Sequence, residues 1–154
     1  MTPTHSDAMS DGALPSGQLR ITIRRANGTT ERHLVKNRIL TAGRAFIAER
    51  MIGTPAVVSH MGVGTGTTAV ADGDTALRTQ LGARVAVTAA VNGNVVTYTA
   101  ELPPGTATGA LTEAGLFTSA TAGRMTCRSV FGVKTKDPGD HITINWDNII
   151  NPPA

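Results

Sequence analysis

Few residues of this 154-residue chain have the type and spacing that chemistry needs. A glycine-rich run, 62–66, invites comparison with phosphate-binding loops, but a dinucleotide fingerprint requires Gly-x-Gly-x-x-Gly at the start of a helix. Here the third glycine is misplaced, no Walker lysine follows, and the next residues lack helical periodicity. The run therefore predicts a tight backbone turn and not a nucleotide site.

An acidic turn, Asp72-Gly73-Asp74, could begin a calcium loop. The calcium-binding template also needs further oxygen ligands and a terminal Glu at fixed spacing, and Gln80 and Arg84 do not supply them. We expect these aspartates to close a turn by accepting hydrogen bonds from backbone N–H groups.

Catalytic and metal-binding patterns are missing from the sequence. The four histidines form no i, i+4 or His-x-His pair, and there is no Gly-x-Ser-x-Gly elbow. Glu101 and Glu113 could be a carboxylate pair for glycoside hydrolysis, but nothing in their spacing favours it. The one cysteine, Cys127, excludes a disulfide scaffold and a multi-cysteine zinc site, and its apolar neighbours predict a buried, inert thiol. The sequence thus predicts no enzyme activity, no cofactor and no metal.

Four residues are predicted to be structural anchors: Glu113, Trp146, Arg84 and Arg128. Glu113 lies in the apolar stretch 111–117, where a buried carboxylate must find hydrogen bonds or a cation. We expect it to bind backbone N–H groups or an arginine such as Arg84 or Arg128. Trp146 is predicted to pack in the core or between sheets.

The composition indicates which elements position these residues. Charged residues make up 16% and aromatic residues 3% of the chain, with 17 glycines, which favours β-strands joined by glycine turns over a helical bundle. Alternating apolar and polar residues over 18–25 predict a half-buried strand, and Asn27-Gly28 predicts a hairpin turn. The further predicted strands are 29–35, 57–63, 77–91, 94–102, 111–117, 125–134 and 141–146.

One helix is predicted over about 41–52, with Thr41 as its cap and with Phe46, Ile47 and Met51 along its apolar side. Roughly eight strands with turns between most of them predict an all-β domain of the β-sandwich or jelly-roll type.

This single domain is predicted to cover residues 18–151. Residues 1–17 are polar, contain two prolines and show no periodicity, so we expect them to form an extended N-terminal arm. No apolar run approaches the roughly 20 residues that cross a membrane, and the start lacks the basic and apolar regions of a signal peptide. We therefore expect a soluble protein that is not inserted in a membrane.

The net charge of +3 comes mostly from the first third of the chain. Arg20, Arg24 and Arg32 in the first hairpin either form a solvated strand face or contact an acidic protein partner. In the second case they are candidate assembly contacts. Only Phe46 lies among these basic residues, which argues against nucleic acid, since its binders usually add stacking aromatics.

Several segments share an order and spacing with a known protein family. They are 37–44, 61–77, 111–117, 123–131 and 143–146. Together they resemble a VGTGTT…DTxL…R…TEAGLF…R..F pattern of small structural proteins of tailed-bacteriophage virions, over about residues 35–148. An acid is more usual in that family where Gln80 stands, which implies that a charge pair with Arg84 is absent here.

The resemblance implies a non-enzymatic structural subunit of the virion, made in the host cytoplasm, whose partners are copies of itself and other virion proteins. It favours a tail-associated component (tail, fibre attachment, baseplate or neck) that forms a symmetric oligomer. Within the structural class the alternative is a capsid decoration protein, and from another class a glycan-binding module for host attachment. We expect the arm and the first hairpin to reach an adjacent subunit, with strand addition at a sheet edge as one mode.

Overall fold

The computed structural model describes residues 16–54 and 56–150. Within these residues there is one helix, α1 (Thr41–Arg50), and the model confirms the all-β class with one short helix. The nine strands are β1 (Ser16–Arg24), β2 (Thr30–Ile39), β3 (His60–Gly64), β4 (Val85–Ala86), β5 (Thr88–Asn92), β6 (Val95–Leu102), β7 (Gly109–Phe117), β8 (Met125–Lys136) and β9 (His141–Ile149).

All nine strands belong to one antiparallel sheet, in the order β4-β3-β7-β8-β2-β1-β9-β6-β5. β2 pairs with β1 along most of its length and with β8 only at Arg38 and Ile39. β4 pairs with β3 and continues through Val87 into β5, which pairs with β6. Because β2 and the continuous β4–β5 segment each pair with two different strands, the sheet curls into a nearly closed, barrel-like form. The all-β class is therefore confirmed, but the predicted β-sandwich or jelly-roll form is not.

The core forms where the alternating strands turn their apolar side inward. Leu19, Ile21 and Ile23 of β1 are all buried, as the alternation predicts. Trp146 of β9 lies beside Leu19 in the register and is completely buried. The side chains that meet them from the other half of the sheet are Met61, Val63, Leu111, Ala114, Leu116 and Cys127.

Helix α1 is shorter than the sequence predicts. Thr41 is its first helical residue and not its cap; Leu40 holds the cap position without a side-chain hydrogen bond. Phe46 is buried and Ile47 packs against the core, but the helix ends at Arg50. Met51 therefore lies beyond the helix and is exposed, contrary to the prediction.

The predicted strand 77–91 is largely wrong. Only Val85–Ala86 and Thr88–Asn92 are strands, and 65–84 is mostly irregular, with one isolated bridge at Gln80. Leu77 in this stretch is nevertheless buried against Phe117 and Met125. The sequence thus predicts correctly that Leu77 is apolar and packed, but this side chain reaches the core from a loop and not from a strand.

At the amino terminus, β1 begins at Ser16, so the last two residues of the predicted arm belong to the sheet. The rest of the predicted arm, residues 1–15, and the terminal residues 151–154 lie outside the described residues.

Candidate assembly site

An apolar groove of about 530 Å³ opens at the seam where β4 passes into β5. The backbone N–H of Val87 donates to the carbonyl of Ser59 at 3.0 Å, and beyond this bond the two segments diverge. One wall of the groove is α1 with Phe46 and Ile47, and the other is β5 with Ala89 and Val91.

The rim of this groove exposes large apolar side chains to solvent. Val91 is 72% exposed, and Val57 and Ile150 are also exposed. Met51 and Ile52, which directly follow the groove residue Arg50, are more exposed still. Three of the seven large exposed hydrophobic residues of the described chain thus line the groove, and two more follow Arg50 in the sequence. Clustered apolar exposure of this kind marks an interaction surface.

The strand that forms one wall has an uncovered edge. β5 ends the strand order, so within residues 16–54 and 56–150 no strand pairs with its outer side. All five of its residues are exposed, and its sequence, TAAVN, contains neither a charge nor a proline. Natural proteins protect edge strands with charges, prolines or bulges, because an open edge pairs with other strands. β5 lacks the charge and proline devices.

Two polar side chains border the groove. Arg50 donates from Nη1 to the carbonyl of Thr54, which keeps the cation near the surface. Burial raises the pKa of Tyr98 to about 12, so its hydroxyl stays neutral at physiological pH. The groove therefore suits an occupant that is mostly apolar and carries a carboxylate near Arg50.

A second cavity of about 50 Å³ lies on the core side of the groove and shares Tyr98 with it. Cys127 lines this cavity and is completely buried, as predicted. Its Sγ lies 3.6 Å from Nδ2 of Asn148, which donates to it. Burial raises the pKa of the Cys127 thiol to about 11, so the group remains a protonated thiol at neutral pH.

Among the residues singled out in the sequence, Glu113 occupies the most highly connected position. Its carboxylate is completely buried and accepts backbone N–H bonds from Gly66 at 2.9 Å, Arg78 at 3.0 Å and Thr79 at 2.8 Å. Arg128, also fully buried, donates to it from Nε at 3.1 Å and Nη2 at 3.0 Å. Glu113 therefore fastens the irregular stretch after β3 to the sheet.

The same guanidinium binds a second carboxylate. Arg128 Nη1 donates to Asp74 at 2.9 Å, and the N–H of Ala71 donates to Asp74 at 3.0 Å. The latter bond closes the acidic turn onto its own backbone, as expected. Asp72, by contrast, pairs with Arg38 at the surface.

Burial alone would raise the pKa values of both carboxyls, but hydrogen bonds outweigh it. For Glu113 the bonds from the N–H groups of Thr79 and Arg78 and from Arg128 bring the pKa below its usual value. For Asp74 the bonds from Ala71 and Arg128 have the same effect. Both acids are thus held ionised by groups that also hold the fold.

Arg84, the other arginine considered for Glu113, points elsewhere. Its guanidinium carbon lies 3.6 Å from the centroid of the Phe117 ring, and Nη1 donates to the carbonyls of Ser119 and Ala122. Its Nε lies 3.4 Å from Oε1 of Gln80, so Arg84 and Gln80 are joined by a hydrogen bond and not by a charge pair.

The three candidate contact arginines lie on one outer face of the sheet. Arg20 pairs with Asp147 at 2.9 Å, and Arg24 donates to Thr143 at 3.2 Å. Arg32 is opposite Thr22 in the register and exposed, and no described residue forms an ion pair with it. This face is distinct from the groove.

Other candidate groups are not brought together. Glu101 is on the outer face of β6, bonded to His141 and Thr143, whereas Glu113 is buried in β7. In the described part of the chain no group of three or more metal-ligating side chains could hold an ion. A search of the same residues finds no helix with the length and hydropathy to span a membrane.

Comparison of the chain with protein-family models, with curated proteins and with solved structures gives no match.

Sequence reasoning did not find the groove. Its walls come from four separate parts of the chain, and the two segments that diverge at the seam are both apolar, like core strands. One local signal was present: TAAVN is a strand without a charged or proline residue beside a hairpin turn.

Proposed function

We propose that this chain is a non-enzymatic structural subunit of a tailed-bacteriophage virion, associated with the tail, and that it assembles as a symmetric oligomer. The observation that carries the proposal is the apolar groove beside the unprotected edge of β5. An apolar groove and an open strand edge each favour association, so a protein that works as a monomer would be expected to protect them. A subunit that is always assembled would cover them.

The buried ionisable groups support a structural role. Glu113, Asp74 and Arg128 would be the natural candidates for chemistry, but every one of them is engaged in hydrogen bonds that fix the loop after β3. The thiol of Cys127 is buried and protonated. These groups stabilise the fold and are not free to act on a substrate.

The placement in a phage tail rests on the resemblance over about residues 35–148. The segment that contains Glu113, LTEAGLF, is part of β7, and its acid anchors the loop that follows β3 through the N–H of Gly66. Two parts of the family-like pattern are therefore joined physically in this chain, since the glycine run and the TEAGLF strand meet at one carboxylate.

A glycan-binding role is less well supported, because such sites usually present exposed aromatic rings. Trp146 is completely buried, Phe117 lies in the core, and of the two aromatic residues that line the groove, Tyr98 and Phe46, the latter is buried. The described surface has no aromatic platform.

The test is the number of copies of this chain relative to the major capsid protein, measured by quantitative mass spectrometry on purified virions of the phage that encodes it. About six to a few dozen copies would fit the closed symmetry of a tail component. Several hundred copies would indicate a location on the capsid surface instead of the tail and would favour a decoration protein. Absence from the virion would refute both.

A further inference from the structure

We infer that the groove and the open edge of β5 receive the N-terminal segment, residues 1–15, of a second copy of this chain. This inference rests on the proposed function in one respect only, that copies of the chain associate with each other. It names the surface and the segment through which they do so.

The groove provides two kinds of contact for an extended segment. The outer edge of β5 offers unpaired backbone groups at alternate residues, as any edge strand does. Val57, Ala89 and Val91 provide apolar surface directly beside that edge. A peptide that adds to a sheet edge uses both, since main-chain bonds give affinity and side-chain pockets give specificity.

Charge selects the N-terminal segment as the occupant. All 14 lysine and arginine residues of the chain lie between Arg20 and Lys136. The segment 1–15 has none of them and carries two acids, Asp7 and Asp11, along with apolar side chains that include Met9 and Leu14. An acidic, partly apolar segment is complementary to a basic body whose groove is apolar and bordered by Arg50.

The point at which the segment leaves the sheet puts it within reach. Ser16 pairs with Ile149, Ile149 pairs with Val95, and Val95 pairs with Asn92 at the end of β5. Three strand spacings separate Ser16 from Asn92, about 15 Å. Fifteen residues of extended chain reach at most about 50 Å, enough to arrive at the groove of a neighbouring copy.

Strand direction favours a second copy over the same chain. A segment folding back from its own Ser16 would start at the Asn92 end of β5 and run parallel to that strand. Every strand pair in this sheet is antiparallel, and antiparallel pairing is slightly more stable per residue. A second copy approaching with the opposite orientation supplies an antiparallel segment and, by exchange, a symmetric contact.

The experiment uses the full-length chain with benzoylphenylalanine in place of Val91, made as an equal mixture of ordinary and ¹⁵N-labelled copies. After irradiation and trypsin digestion, we expect the tryptic peptide of residues 1–20 to be cross-linked to the peptide containing position 91. About half of these products should combine one labelled and one unlabelled peptide, because random pairing of two equal populations gives that fraction.

The matched control places the same photoreactive residue at Val133 on β8, which is also mostly exposed, at 59% against 72% for Val91. It should not capture the N-terminal peptide. Products of a single isotope alone would show that the segment folds back on its own chain, and capture of the C-terminal tryptic peptide, 137–154, would show that the tail occupies the groove. Either result overturns the inference.

Self-association is measured separately, by light scattering of the full chain across concentrations. Val91→Asp should raise the dissociation constant by about tenfold or more, since it puts a charge against the apolar groove, and Val133→Asp should leave it unchanged. A chain that is monomeric at every concentration refutes the proposed self-assembly. An oligomer that survives Val91→Asp, without cross-links to residues 1–20, refutes this inference and leaves the proposed function standing.

Discussion

Replacing Glu113 by glutamine should remove the tie between the irregular stretch after β3 and the sheet. Oε2 accepts the N–H groups of Gly66 and Thr79, and Oε1 accepts Arg78 and both donors of Arg128. A glutamine keeps the shape but turns one of these oxygens into an NH₂ group. Whichever side it takes, at least two N–H donors then face another donor.

The size of the loss follows from that count. A hydrogen bond to a charged group contributes about 1.5–3 kcal/mol, so two lost bonds cost about 3–6 kcal/mol. Breaking a buried ion pair by removing one partner costs a similar amount, about 3–5 kcal/mol. We therefore expect Glu113→Gln to lower the free energy of unfolding by about 3–5 kcal/mol, a large part of the total of a small domain.

The assay is urea unfolding, followed by the fluorescence of the single tryptophan, Trp146, which is completely buried when the chain is folded. The control is Glu101→Gln, the same chemical change on the exposed outer face, where the carboxylate binds His141 and Thr143. It should cost less than about 1 kcal/mol. A loss below about 1 kcal/mol for Glu113→Gln as well would refute the reasoning.

The pH dependence gives a second, independent test of the same cluster. Because the folded pKa values of Glu113 and Asp74 are lowered, their contribution is complete above the unfolded values, about 4.3 and 3.9, and is lost as the pH falls through the folded values. The wild-type free energy of unfolding should therefore decline below about pH 5. In Glu113→Gln this decline should be shallower, and an unchanged slope would contradict the assignment.

Three further outcomes are expected. A Cβ at Gly66 would lie 2.5 Å from the buried carboxylate, so Gly66→Ala should cost about 1–3 kcal/mol in urea unfolding, whereas Gly73→Ala, where nothing lies within 4 Å, should be neutral; equal losses would refute the close approach. The buried Cys127 thiol should resist iodoacetamide at pH 8 in the folded chain and react completely in urea, and rapid labelling without urea would contradict its burial. Asp147→Asn removes the charge and replaces one of the two carboxylate oxygens that accept from Arg20, so it should cost about 1–3 kcal/mol, with a smaller loss at high salt; a cost independent of salt would refute a contribution from the charge.

The parts of the fold that sequence could predict are those fixed by local pattern. The alternation of Leu19, Ile21 and Ile23 identifies the buried side of β1, because side chains alternate across a strand. Asn27-Gly28 marks a true hairpin, since Gly28 takes a φ of 91°, which glycine adopts without steric cost. Such signals lie within a few residues of each other.

What sequence could not predict depends on contacts between distant segments. Leu77 has the apolar character of a strand residue, but its segment is held as a loop by hydrogen bonds to the carboxylate of Glu113. This acceptor lies 35 positions after Arg78, which donates one of the bonds. Nothing in the local pattern of residues 77–84 reports that acceptor. The groove is a similar case, because it exists only where β4 and β5 change partners.

The pairing of β1 with β9 has a consequence for the order of events during synthesis. Gln18 contacts Asp147, which is made 129 residues later. At a synthesis rate of about 5–20 residues per second, roughly 6–26 s pass between the synthesis of the first hairpin and that of its neighbouring strand, β9. During that time Leu19, Ile21 and Ile23 lack the β9 residues that pair with them in the folded chain, so the apolar side of the first hairpin is open to association until synthesis is nearly complete.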